Sequence, residues 1–201
     1  MKQDQPKFIQ AIKQHAAFKG KGIIMLGEIR KLLSFYEIKE ISEQTCEEIM
    51  EVYDTNQEFF LLSGGKVATP EDCKRDASAT PPDFHRSNKL FLGIWKSGNC
   101  VGVMDILVGY PGADCVWIGL LLIHGQLHRN RMGSEFAEAI IKATGNVGCN
   151  RVQLGVLENN IKGRAFWTKL GFEKIREANA ATENNPQRKI IVVEKLVERD
   201  S

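Results

Sequence analysis

The run Val116-Trp117-Ile118-Gly119-Leu120-Leu121-Leu122-Ile123 carries no polar side chain except the indole of its tryptophan. A strand without polar alternation is buried on both faces, which puts it inside a covered sheet. It ends in a basic, glycine-containing turn, Gly125-Gln126-Leu127-His128-Arg129-Asn130-Arg131-Met132-Gly133-Ser134. Beyond the turn, Met132, Phe136, Ala139, Ile140 and Ala143 recur at helical spacing until Gly145 breaks the pattern. The segment therefore reads as strand, loop, helix. At such a junction the first N–H groups of the helix lack intrahelical acceptors and lie at the positive end of the helix dipole, so a phosphate satisfies both.

The rest of the chain supplies the sheet around this strand. Phe35–Ile41 alternates as a first strand, and Ser42 is placed to cap a helix running through Cys46, Ile49, Val52 and Tyr53. Gly64-Gly65 interrupts the chain, and Thr69-Pro70 restarts a short helix with proline in its first turn, ending at Thr80-Pro81-Pro82-Asp83. Leu90–Lys96 and Val101–Val108 read as strands around the hairpin turn Ser97-Gly98-Asn99. After the turn at Tyr110–Asp114 and the strand–loop–helix unit come a strand at Arg151–Leu157 and a helix at Lys162–Leu170. Strands at Phe172–Glu177 and Lys189–Leu196 follow, separated by the polar loop Thr182–Gln187. Residues 1–30 stand before this order as an extension, with Phe8, Ile9, Ala11, Ile12 and Ala16 at helix-like spacing, and residues 31–201 form a single domain.

Composition narrows the partners. A formal net charge of +2, with basic and acidic residues interspersed, argues against nucleic acid. No apolar run reaches the ~20 residues that span a bilayer, so no membrane partner is expected. The five cysteines are odd in number and form no Cys-x-x-Cys or metal spacing. They read as reduced thiols of a cytoplasmic protein, without a metal.

The loop and a segment farther on, Asn160-Ile161-Lys162-Gly163-Arg164-Ala165-Phe166-Trp167-Thr168-Lys169-Leu170-Gly171-Phe172, together resemble the GNAT family of N-acetyltransferases. The family signature Gln/Arg-x-x-Gly-x-Gly/Ala aligns with His128, Arg131 and Gly133 at its three defining positions, of which Gly133 alone carries the family's residue. The second segment looks like Asn-x-x-Ala/Gly-x-x-Phe-Tyr-x-x-x-Gly-Phe, with Trp167 where the family has tyrosine. The resemblance implies an α/β (α+β) fold: a mixed, mostly antiparallel sheet of about six to seven strands, flanked by about four helices and splayed between the fourth and fifth strands. It also implies acetyl-coenzyme A as cosubstrate, held by Leu122, Ile123, His128, Arg129, Asn130, Arg131, Met132, Gly133, Ser134, Asn160 and Trp167. A strand N–H near Leu122 would polarise the thioester carbonyl. The acceptor would be a small-molecule or peptide amine. A homodimer is possible, through the last strand or the extension.

An amine acceptor is mostly protonated near neutrality and needs a base. Asp105, Tyr110, Asp114 and His124 are the candidates on or after the central strands, with Asp105 interrupting an apolar strand where an unpaired carboxylate would be costly. Asp105, Tyr110 and Trp167 form the expected catalytic set. Trp167 would shape the thioester pocket rather than act as an acid, because an indole N–H only donates. The alternative is a non-catalytic acyl-coenzyme A sensor on the same fold.

Overall fold

A computed structural model describes residues 20–179 and 189–198. Its strands are β1 (Glu37–Glu40), β2 (Lys89–Lys96), β3 (Asn99–Val108), β4 (Cys115–Ile123), β5 (Arg151–Leu157), β6 (Glu173–Asn179) and β7 (Lys189–Leu196). Six helices accompany them: α1 (Lys21–Leu32), α2 (Met50–Asp54), α3 (Gln57–Gly64), α4 (Pro70–Ser78), α5 (Met132–Asn146) and α6 (Ile161–Lys169). The strands make one sheet in the order β1-β2-β3-β4-β5-β7-β6. All pairings are antiparallel except β4 with β5.

That one parallel pairing is short. It runs from Cys115↔Arg151 to Ile118↔Leu154 and stops, although β4 continues to Ile123 and β5 to Leu157. The two strands therefore fork at Gly119 and Gly155. A bulge accompanies the fork: Asp105 pairs with Leu120 and Ile106 with Ile118, which leaves Gly119 as the extra residue of β4.

Each face of the sheet has its own core. Beneath α1, α5 and α6 lie Met25, Ile29, Met104, Ile106, Phe136, Ile140, Leu154 and Phe172. The opposite face, under α2, α3 and α4, packs Ile49, Val52, Tyr53, Phe60, Cys73, Phe91, Val103 and Leu122. All five cysteines are buried free thiols, as composition suggested. α4 begins with a reciprocal cap in which the Thr69 hydroxyl accepts from the Asp72 N–H and the Asp72 carboxylate accepts from the Thr69 N–H.

Several local expectations change. No helix starts at Ser42, because the Thr45 hydroxyl accepts the Ser42 N–H and closes a turn; a 3₁₀ segment at Cys46–Ile49 leads instead into α2. α5 passes through Gly145 to Asn146, and the left-handed residue that follows it is Gly148, at φ 74°. The β2–β3 turn uses Ser97 and Gly98 as its positive-φ pair, so Asn99 already belongs to β3. Two helices more than expected are present. Part of the amino-terminal extension is one of them: α1 buries Met25, Leu26 and Ile29, whereas Phe8, Ile9, Ala11, Ile12 and Ala16 lie outside the described residues, as does the loop Thr182–Gln187.

Candidate active site

The fork opens toward the loop that follows β4. A 3₁₀ turn at Gly125–Leu127 leads to His128, whose φ of −58° and ψ of 149° precede a left-handed Arg129 at φ 67°. The Asn130 N–H reaches the Leu127 carbonyl at 3.4 Å, so these four residues fit a type II turn with arginine in the position glycine favours. Arg131, at φ 62°, is left-handed as well and forms the N-cap of α5 without a side-chain cap bond. Both arginines thus occupy backbone conformations that cost of order 1–3 kcal/mol for residues bearing a Cβ, and both side chains are exposed. The N–H groups of Met132, Gly133 and Ser134 find no acceptor among the described residues. A Cβ at Gly133 would lie 3.6 Å from Ile123 and from the Phe166 ring, which is ordinary contact. The protein's own packing does not demand glycine there.

The phase of β4 decides which main-chain groups face the fork. The His124 N–H donates to the Val101 carbonyl at 2.9 Å, which makes Val101 and His124 a hydrogen-bonded pair. Alternation along an antiparallel ladder then turns the main-chain groups of Leu122 toward Val103 of β3, and those of Leu121 and Ile123 toward the open edge. Leu122 is therefore a buried core side chain whose N–H is directed at β3, and Leu121, which sequence reasoning passed over, presents its amide to the fork. The Ile123 carbonyl already accepts from Asn56 Nδ2 and from His128 Nε2, each at 2.9 Å. His128 thus braces the end of β4 instead of extending freely beside the loop.

On the face covered by α2–α4, Asp105 stands at the fork. Its Oδ1 accepts from Lys89 Nζ at 2.6 Å, and the two side chains are 15% and 2% exposed. The carboxylate is satisfied by a buried ammonium and not by solvent, as an outward-facing strand residue would be. Its Oδ2 lies 2.5 Å from where a Cβ on Gly119 would be, so any side chain there would displace the carboxylate. Burial pushes the Asp105 carboxyl up to about 6, with the Lys89 ammonium opposing the rise. Burial likewise raises the nearby Asp76 carboxyl, against the Tyr53 hydroxyl that donates to it at 3.0 Å.

The other candidates scatter. His124 spends both ring nitrogens on the protein, one against Glu51 at 3.3 Å and one accepting from the Gln126 N–H at 3.4 Å, and is 7% exposed. Asp114 is held by Arg151 at 2.7 Å. Tyr110 sits in the β3–β4 connection, at the opposite end of β4 from the loop, between Phe84 and Trp117. Trp167 is 8% exposed and packs edge-on against Phe166 and Phe172. Asn160 caps α6, its Oδ1 accepting from the Gly163 N–H at 2.8 Å, while its Nδ2 makes no bond among the described residues. A cavity of about 670 Å³ opens on the β2–β3 side of the loop, lined by Tyr36, Lys96, Cys100, His124 and Met132 among others, and does not include Gly119, Leu121 or Gly155. Among the described residues no group of three or more His, Cys, Asp or Glu could hold a metal ion, and no helix is long and apolar enough to cross a membrane.

Comparison with solved structures shows the same fold. An acetyltransferase from Thermus thermophilus superposes with a TM-score of 0.65 at 21% identity, covering 81% of this chain and 97% of that one. Ard1 from Thermoplasma volcanium gives 0.59 at 18% identity, over 82% and 99% of the two chains. The PaiA N-acetyltransferase from Thermoplasma acidophilum, in complex with coenzyme A, gives 0.55 at 17% identity over 80% and 98%. No curated protein sequence matches the chain at a significant level. The family model for the acetyltransferase (GNAT) family matches residues 46–172, which takes in the bulged strand, the loop and the Asn160–Phe172 segment. With the forked sheet, the uncapped start of α5 and this match in agreement, the chain belongs to the GNAT family of N-acetyltransferases.

Proposed function

We propose that the chain transfers an acetyl group from acetyl-coenzyme A directly to an amine, with Asp105 as the base. The observation that carries this reading is the meeting of three features at one fork: free helix amides, an unpaired strand edge and a buried carboxylate. Residues suited to the carrier are Met132, Gly133 and Ser134 through their N–H groups at the diphosphate, with Arg129, Asn130 and Arg131 flanking it. Leu121 offers its main-chain N–H and carbonyl, and Ile123 its N–H, to the pantetheine arm, and Asn160 has its amide nitrogen available. The Leu121 N–H is the donor aimed where the thioester carbonyl would develop negative charge. Such a preorganised donor contributes about 3–4 kcal/mol to an acyl-transfer transition state.

In the step itself the amine nitrogen bonds to the thioester carbonyl carbon, the carbon–sulfur bond breaks, and the thiolate leaves. Asp105 accepts the proton that the amine gives up. Trp167 can donate a hydrogen bond but does not act as an acid near neutral pH, so the thiolate takes its proton from water, and the proton held by Asp105 passes to solvent, which neutralises the hydroxide and restores the carboxylate.

Gly133→Asp separates binding from folding. An acidic side chain in the first turn favours the helix dipole, so thermal stability is expected to hold or rise. The same charge opposes a diphosphate, and affinity for coenzyme A measured by calorimetry should fall by about tenfold or more. Unchanged affinity would remove the α5 amides from the site. The burial of Trp167 where the family has tyrosine favours a second reading, a binding module without turnover. Tight binding of acetyl-coenzyme A with no thiol released across an amine panel would establish it.

A further inference from the structure

We infer that the acceptor site is floored by Gly119 and Gly155 and walled by the aromatic row Trp117, Tyr110 and Phe84, and that it takes a monoamine with an aromatic body. This rests on the acetyl-transfer reading and names its substrate class.

Gly119 and Gly155 are the first residues of β4 and β5 past their last paired position, and both are exposed, whereas their neighbours along these strands are mostly buried. A Cβ on Gly119 would strike the Asp105 carboxylate, and one on Gly155 would come within 2.7 Å of Ile190 and 3.6 Å of the Trp117 ring. The two glycines thus leave a bare stretch of backbone where the strands part, with the proposed base on one side and an indole on the other. From that point the rings run back along β4. Trp117 meets Tyr110 edge-to-face at 5.8 Å, and Tyr110 meets Phe84 in the same way at 6.2 Å. All three are only partly buried, and they belong to neither of the hydrophobic cores.

An amine at Asp105 would lay its body over this row. Aromatic rings recognise either another aromatic group or a second cation. Charge selects the first. Asp105 is already paired with the Lys89 ammonium at 2.6 Å and the neighbouring Asp76 accepts from the Tyr53 hydroxyl at 3.0 Å, so a second positive charge on the substrate enters beside an ammonium with neither carboxylate free to take it. A single amine on an aromatic body gains the ring contacts without that repulsion.

The test uses the full chain with acetyl-coenzyme A and follows thiol release with 2-phenylethylamine, spermidine and a peptide with a free amino terminus. 2-Phenylethylamine should show the highest kcat/KM. Trp117→Ala should raise its KM by about tenfold or more, and Trp117→Phe should restore most of the loss. Calorimetry with acetyl-coenzyme A on the same samples should give the parent affinity, which certifies the fold. Where the alanine variant fails that check, Phe84→Leu is expected to raise KM in the same direction. Preference for spermidine or the peptide, or a KM unmoved by Phe84→Leu and by a correctly folded Trp117→Ala, would overturn the acceptor class while leaving acetyl transfer standing. Failure of the parent chain to bind acetyl-coenzyme A would overturn both.

Discussion

Asp105→Asn is expected to lower kcat/KM for amine acetylation by about 10²–10⁴-fold, the usual range for loss of a general base, while affinity for acetyl-coenzyme A stays at the parent value. Asparagine keeps the shape above Gly119 but cannot accept the proton. In the parent the base works only when ionised, and burial sets its pKa at about 6. Activity should therefore rise with pH through about 6 on the acid side, and the variant should lose that limb. Stability carries the same proton with the opposite preference. A folded pKa above the ordinary unfolded value of ~3.9 means that the folded chain binds this proton more tightly. The contribution of Asp105 to stability is then complete below about pH 4 and is lost as pH rises through about 6. Activity in Asp105→Asn equal to the parent, with an unchanged pH profile, would eliminate Asp105 as the base.

Lys89→Met should be the most damaging exchange for the fold. The ammonium is almost completely enclosed and 2.6 Å from Asp105, and removal of one partner of a buried pair typically costs about 3–5 kcal/mol because the other charge is stranded. Urea denaturation at neutral pH would show this as a lower midpoint. Without Lys89 the largest influence that lowers the Asp105 pKa disappears, so the carboxyl moves further up and the deficit should shrink in acid, where Asp105 is neutral. Lys89→Met combined with Asp105→Asn should recover much of the lost stability, since no charge is then left alone. If the double variant were as unstable as the single one, the cost would lie in packing around Phe91 and not in the pair.

What the sequence disclosed and what it withheld divide by range. The strand, loop and helix from Val116 to Thr144 were readable because each depends on neighbours in the chain: apolar continuity, helical spacing, and a glycine at the second helical position. The pairing of Asp105 with Lys89 was not, because it joins β3 to β2 across the sheet and no local pattern marks it. Whether Leu121 or Leu122 turns its main-chain groups toward the fork was illegible for a related reason. Which of two adjacent residues faces an edge depends on the register with β3, and a one-residue shift reverses it. The aromatic row was invisible as a row, since Phe84 comes from the connection before β2 while Tyr110 and Trp117 flank the turn into β4. Arg129 and Arg131 hid the loop's left-handed geometry, which two glycines would have announced.

The portion of the chain that is recognisable by kinship and the portion that must fold together are not the same. Kinship covers residues 46–172, yet α1 lies before that stretch and β7 after it. α1 lends Met25 and Ile29 to the core beneath α5, and β7 pairs with β5 along its whole length and buries Ile191 and Val193. A chain trimmed to the borders of its ancestry would keep the loop and the fork but strip one arm of that fork of its only other neighbour among the described strands. The stretch that names the relatives is thus shorter than the scaffold that holds the cleft open.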